Sequence, residues 1–315
     1  MLARNAHKMM LGLVLSFTLV LGACGNGEKK ESEAKSETRV VSTVKGDVEI
    51  PVEPRRIVAL YYHHILLAMD LKPVGANLTW WGGSPFLAEQ EKDLADVGGP
   101  PSLEAIVALN PDLIIMNSNN EENYEELAKI APSILIPYDG SRNAYDDAKL
   151  VAEVLGKPDA AESLEKKFNE KAEAARKRIE GKVSEDTTAA IIRIEGKGSQ
   201  FSVFGDNYGR GGWSIYHGLN LKMPDIIKTE LIDSKAQIVQ QLSLERLSEY
   251  IADADYIFVS NEGEGLDQLQ NSEVWKSLPA VKNNKVIELD KTYFFFDPIS
   301  IEGQLELITD LIASK

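Results

Sequence analysis

One arginine in this chain stands among glycines, in Gly205-Asp206-Asn207-Tyr208-Gly209-Arg210-Gly211-Gly212. A guanidinium stays charged across the physiological range, and its rigid fork of N–H donors reaches two oxygens at once. Flanking glycines let the backbone approach a bulky ligand closely. Tyr208 adds an aromatic face, and Trp213 follows the loop. The GxxxxGK[ST] spacing of a nucleotide loop is missing, whereas a plain hairpin turn with a surface Arg fits the same letters. Arg193 is flanked by Ile192 and Ile194, which suits an arginine turned into a cleft or a buried ion pair equally well. The runs Trp80-Trp81 and Phe294-Phe295-Phe296 suit the walls of an apolar pocket. Tyr61, Tyr62, His63 and His64 form a third polar–aromatic run. Neighbours at a strand end point to opposite sides, so at least one member of each run is expected in the core.

A second signal is a segment that occurs twice. Ser102-Leu103-Glu104-Ala105-Ile106, with Asp112 before the strand at Leu113, is echoed by Ser243-Leu244-Glu245-Arg246-Leu247, with Asp255 before the strand at Tyr256. Each reads as a Ser-capped helix with a Glu in its positively polarised first turn, closed by an Asp ahead of an apolar strand. Two such units suggest two similar α/β lobes, each presenting one helix-start carboxylate. Shared capping grammar alone would give the same letters.

The elements that must position these groups alternate. Strands are predicted at 56–60, 72–76, 113–116 and 133–136, with helices around 65–69, 122–131 and 144–155. One uninterrupted helix is predicted from Asp159 to Gly181, with Leu164, Phe168, Ala172, Ala175 and Ile179 on one stripe. Beyond it come strands at 189–194, 201–204, 256–260 and 285–289, and a closing helix from Pro298 to Ile312. The fold class is α/β: two doubly wound lobes joined by one long helix, with the ligand cleft between them beyond the carboxyl ends of the strands. The expected division is 1–23 export signal, 24–39 tether, 40–156 first lobe, 157–182 interlobe helix and 183–315 second lobe.

Arg4 and Lys8 precede the apolar run Met9–Leu21, which is too short for an ordinary span and ends in Leu21-Gly22-Ala23-Cys24. That ending resembles the bacterial lipobox, which implies a diacylated Cys24 as the first residue of the mature chain. Cys24 is the only cysteine, so no disulfide is expected. The Glu-, Lys-, Ser- and Gly-rich stretch after it reads as a tether. The chain is thus expected on the outer face of the cell membrane, held by lipid. The formal charge is −15, or −17 without Arg4 and Lys8, which argues against nucleic-acid partners.

The segments IVALYYHHILLAMDLKPVGA, PSLEAIVALNPDLII, QQLSLERLSEYIADADYIFV and WKSLPAVKNNKVIELD resemble the iron-complex receptors of bacterial ABC importers over nearly the whole mature chain. The resemblance implies a monomeric substrate-binding protein, without cofactor or catalysis, that delivers a ferric siderophore to a permease. It implies that Glu104 and Glu245 dock on the permease. GDNYGRGG is similar to the Asn-aromatic-Gly-Arg-Gly stretch of ferric-hydroxamate receptors, which implies that Tyr208 packs on the ligand and Arg210 donates to oxygens around iron. The expected ligand contacts are Tyr61, Tyr62, His63, Trp80, Trp81, Arg193, Tyr208, Arg210, Trp213, Phe294 and Phe295, with iron held by the siderophore alone. Few basic groups on the expected cleft loops favour a neutral or cationic hydroxamate complex over an anionic catecholate or citrate type, unless Lys197, Lys222 and Lys291 turn inward. Haem is the nearest rival, through His63 or His64. An extracellular hydrolase is the rival from another class, although neither G-x-S-x-G nor H-E-x-x-H occurs.

Overall fold

The computed structural model describes residues 37–315 other than Gln237, Gly263 and Glu264. The export signal, Cys24 and most of the tether lie outside the described residues. A hairpin of β1 (Thr38–Thr43) and β2 (Gly46–Pro51) comes first. It takes in Thr38 and Arg39, counted with the tether on composition, because they pair with Pro51 and Ile50.

Five short strands follow: β3 (Ile57–Ala59), β4 (Gly75–Ala76), β5 (Ala95–Asp96), β6 (Leu113–Asn117) and β7 (Ser133–Ile136). They form one wholly parallel sheet in the order β5-β4-β3-β6-β7. The second sheet contains β8 (Ala189–Glu195), β9 (Gln200–Phe204), β10 (Ile238–Ser243), β11 (Tyr256–Ser260) and β12 (Val286–Leu289), in the order β10-β9-β8-β11-β12. Here β8, β11 and β12 are parallel, but β9 runs against both its neighbours. The second lobe therefore departs from plain double winding. Only Gly196–Ser199 separates β8 from β9, far too few residues for the crossover that a parallel pair requires.

The two sheets share a core. Strand periodicity divides β8 cleanly: Ala190, Ile192 and Ile194 face a cluster confined to the second lobe, whereas Ala189 and Ile191 join the larger cluster. That larger cluster also holds Ile57 and Ala59 of β3, Leu164, Phe168 and Ala172 of the long helix, and Ile301, Leu305 and Ile308 of the C-terminal helix (Pro298–Ala313). The long helix runs from Pro158 to Arg178, with Pro158 and Asp159 at its start and Arg176, Lys177 and Arg178 in its last turn. Both ends suit the helix dipole. At about 1.5 Å per residue it is roughly 30 Å long. Lys149 Nζ of the first lobe lies 2.9 Å from its Glu165, while its own Lys171 donates at 2.7 Å to the buried Glu302 of the C-terminal helix.

The repeated segments occupy equivalent places. Asp112 accepts the backbone N–H groups of Arg55 and Arg56, just ahead of β3. Asp255 accepts the N–H of Thr188, just ahead of β8. Each Asp thus pins the start of the first strand of its five-stranded sheet beside its own. The caps are not equivalent. Ser102 Oγ accepts from Ala105 N–H at 3.2 Å, as expected. Ser243 makes no side-chain cap: it ends β10, and the chain passes through a tight 3-10 turn, Leu244–Arg246, before the helix Leu247–Ile251. Glu104 and Glu245 are both exposed.

Candidate functional site

A cavity of about 650 Å³ opens between the lobes. The first lobe contributes Tyr61, His64, Trp80, Trp81 and Tyr138. Tyr61 follows β3, and its ring packs edge-on against Trp81 with centroids 4.9 Å apart. Burial raises the Tyr61 and Tyr138 hydroxyls above the ordinary phenol value, so both remain neutral donors. Burial, reinforced by the neighbouring His63 ring, holds His64 well below the usual imidazole range, so it too is uncharged. Trp80 and Trp81 sit on one helical turn, Leu78–Trp81, whose Asn77 cap accepts from Trp80 N–H. Asp96 secures the same turn by accepting from Leu78 N–H and Thr79 Oγ1. A Cβ at Gly99 would lie 2.7 Å from the Trp80 ring, so this indole rests on a place only glycine leaves open.

The second lobe contributes charge. Arg193, Glu195 and Ser202 continue the inward face of β8 and β9, because Arg193 stands opposite Ser202 in register. Arg193 Nε donates to Glu195 Oε1 at 3.0 Å, and Ser202 Oγ donates to the same oxygen at 2.7 Å. Arg210 is 3% exposed and donates in bidentate fashion to Glu262, Nε to Oε1 and Nη2 to Oε2, each at 2.7 Å. Its third nitrogen, Nη1, donates to the Tyr208 carbonyl at 3.1 Å. Arg193 Nη1 lies 3.7 Å from Glu262 Oε2, so the two pairs form one cluster. Burial opposes the charge on Glu262 and on Glu195, but arginine and serine hydrogen bonds outweigh it and hold both carboxyls below their ordinary values. The Arg210 guanidinium lies over the rings of Phe204, at 4.5 Å, and Phe294, at 4.8 Å. These are cation–π distances.

Glycines make this placement possible. Gly209 has φ +70, and a Cβ there would fall 2.1 Å from the Phe294 carbonyl oxygen. Arg210 itself adopts a left-handed φ of 54. The loop can therefore fold back from β9 onto the segment that follows β12. Two hydrogen bonds join the lobes beside the cleft: Asn207 Nδ2 to the Arg142 carbonyl at 2.8 Å, and Ser84 Oγ with Ser300 Oγ at 2.7 Å. Ser300 also donates to Asp297, whose buried carboxyl is pushed up despite that bond.

Of the expected contacts, Tyr61, Trp80, Trp81, Arg193, Tyr208, Arg210, Phe294 and Phe295 line the cavity. Tyr62, His63 and Trp213 do not line it, and each packs elsewhere. Tyr62 is fully buried at the start of a helix, its hydroxyl aimed at the Ile136 carbonyl. His63 is also fully buried, with Nε2 at 2.8 Å from Glu91 Oε1. Trp213 stacks on His217 at 3.9 Å and packs near Tyr145. The rule that one member of each aromatic run turns to the core holds for Tyr61-Tyr62, holds in part for Trp80-Trp81, where Trp81 packs against the core cluster while lining the cavity, and fails for Phe294–Phe296. Both tryptophans and all of Phe294–Phe296 reach the cavity, because these runs lie on a helical turn and a 3-10 exit rather than on a strand. Arg193 lines the cleft and is also paired, although the pair is half-buried rather than buried. Outside the expected contacts, Tyr138, Gln240 and Asp297 line the cavity, and Glu195 and Glu262 pair with its arginines. Glu262 had a legible signal, since it follows the carboxyl end of the strand Tyr256–Ser260.

Two α/β sheets sharing a long helix, with a walled cleft between them, define a bilobal receptor of the periplasmic-binding type. The chain belongs to the periplasmic binding protein family, whose profile matches residues 62–293. It is similar to the iron(3+)-hydroxamate-binding protein YxeB of Bacillus subtilis, with 38% identity over 98% of this chain and 97% of that protein. It is also similar to the iron(3+)-hydroxamate-binding protein FhuD of that organism, with 34% identity over 92% of each. Among solved structures it resembles a FhuD fold-family component of a ferrichrome ABC transporter from Bacillus subtilis, with TM-score 0.74, 32% identity, 87% of this chain and 100% of that chain.

Proposed function

We propose that this protein captures a ferric hydroxamate siderophore in the interlobe cleft and hands it to an ABC permease for iron uptake. The observation that carries this reading is the cleft itself: aromatic walls around two arginines whose charge is already matched by carboxylates. A hydroxamate complex offers oxygens around a coordinatively saturated iron and apolar linkers, without the strong negative charge of catecholate or citrate types. The similarity to two iron(3+)-hydroxamate-binding proteins supports the same ligand class. Iron stays within the siderophore, and the protein contributes only contacts around it. Cys24 carries the lipid that holds the receptor, as a monomer, on the outer face of the membrane. The exposed Glu104 and Glu245, one on each lobe, meet the permease and set its register.

Quenching of intrinsic tryptophan fluorescence tests the ligand class, because Trp80 and Trp81 stand at the cavity wall. Ferrioxamine and ferrichrome are expected to quench saturably at submicromolar concentration, with ferric catecholate and haemin far weaker. Tight binding of haemin or catecholate in place of the hydroxamates would overturn the ligand assignment.

A further inference from the structure

We propose that Glu195 and Glu262 are the residues that set the ligand-charge selectivity of the cleft, acting through Arg193 and Arg210 rather than by touching the ligand. The inference rests on the siderophore reading above and deepens it. A nearly buried arginine without a counter-charge is costly, so a cleft that was built to attract anions would leave its arginines to be neutralised by the ligand. Here that neutralisation is already complete. Both ends of the Glu262 carboxylate are occupied by Arg210, Ser260 donates to it as well, and Glu195 holds Arg193 together with Ser202. Glu262 does not line the main cavity. It lies on an adjoining pocket of about 390 Å³ that shares the Phe294–Phe295 wall. The carboxylates therefore fix the arginine forks and cancel their charge from behind. What the ligand meets is a set of oriented donors with little net positive field, bordered by the further carboxyl groups of Asp139 and Asp297.

This arrangement rejects an anionic complex and accepts a neutral or cationic one of the same shape. It makes Glu195 and Glu262 positioning residues, and it predicts a reversal when either charge is removed.

The test is a charge series on one iron core: ferrioxamine B with its pendant ammonium free, the same complex with the amine acetylated, and the same complex with the amine succinylated. These are cationic, neutral and anionic respectively. The wild-type protein is expected to bind the succinylated complex at least about tenfold more weakly than the free amine, with the acetylated form between. Glu262→Gln and, separately, the more exposed Glu195→Gln are expected to shift the anionic-to-cationic affinity ratio by about tenfold or more towards the anion. Glu262→Asp is expected to restore the wild-type order. Raising the salt concentration should flatten the series in every variant. A wild-type series that is flat, or that favours the anion, would overturn the inference without recourse to any variant. So would glutamine variants whose ratio does not move. Failure of wild-type protein to bind any hydroxamate would instead sink the functional reading itself, and the two failures are distinguishable in one titration.

Discussion

The first lobe brings to the cavity two phenols, two indoles, a neutral imidazole and the Asp139 carboxyl, whereas the second brings two guanidiniums, each paired from behind with a carboxylate and framed by phenylalanines. Both lobes are built on the same plan, with an Asp pinning the first strand beside the strand that follows the Ser-Leu-Glu helix. The difference starts at one connection. In the five-stranded sheet of the first lobe every strand points the same way, so the cavity receives only what the loops beyond the strand ends carry. In the second lobe the short turn at Gly196–Ser199 reverses β9, which sets Ser202 across from Arg193 and gives Glu195 a second donor. The chain then leaves β9 in the wrong direction for the cleft and must fold back, which accounts for the left-handed residues Gly209, Arg210 and Gly211. A shared plan fixes where a cleft forms, and a local reversal decides which side of it carries the paired arginines.

The largest effect concerns whether the lobes are separable at all. Phe168, on the long helix, is buried in the cluster common to both sheets and packs against Tyr145. Phe168→Ala should cost about 3–5 kcal/mol. Denaturation followed by both circular dichroism and tryptophan fluorescence should still show one coincident transition. Two separated transitions would break the picture of a common core.

Next comes the contrast between the charged and aromatic sides. Arg210→Ala should weaken ferric hydroxamate binding by roughly 10- to 100-fold, and Arg210→Lys, which keeps the charge but loses the fork, should fall between it and wild type. Trp80 is 54% exposed, and Trp80→Ala should cost only about 0.5–1.5 kcal/mol of binding. Isothermal titration would compare them directly, and a larger loss at Trp80 would reverse the ranking of the two sides.

A smaller effect separates the lobes by pH. His64 titrates below its unfolded value, so the unfolded chain takes up the extra proton first as pH falls. Stability should therefore decline as pH drops below about 6.5, by at most about 1.4 kcal/mol per pH unit for this group. His64→Gln should flatten that part of the profile. Glu262 and Glu195, with lowered values, add stability above about pH 4.5 that is lost as pH falls through their folded-state values. A midpoint-versus-pH series for wild type and His64→Gln resolves the two regions.

The smallest effect on the purified protein is expected at the exposed pair. Glu104→Ala combined with Glu245→Ala should leave hydroxamate affinity within about twofold of wild type, since surface changes away from a site are usually near neutral. Iron uptake by cells should nevertheless fall sharply. Normal uptake would remove the docking role, and an effect from one lobe alone would break the equivalence of the two.

The sequence by itself determined the α/β class, the long helix, the repeated unit and most of the residues that reach the cavity. These follow from periodicity, capping and strand-end position, all of which are local. Even Asp112 and Asp255 were legible as loop closers, because an Asp before an apolar strand has a local job. Tertiary structure alone decided that Tyr62, His63 and Trp213 are packed away, since which side of a helix start faces the core depends on what lies across it. It also decided the reversal of β9, the ion pairs of Arg193 and Arg210, and the part played by Glu262, which is 52 residues from Arg210 in sequence. A charge and its counter-charge attract through space, and nothing in the spacing of residues along the chain records that they will meet.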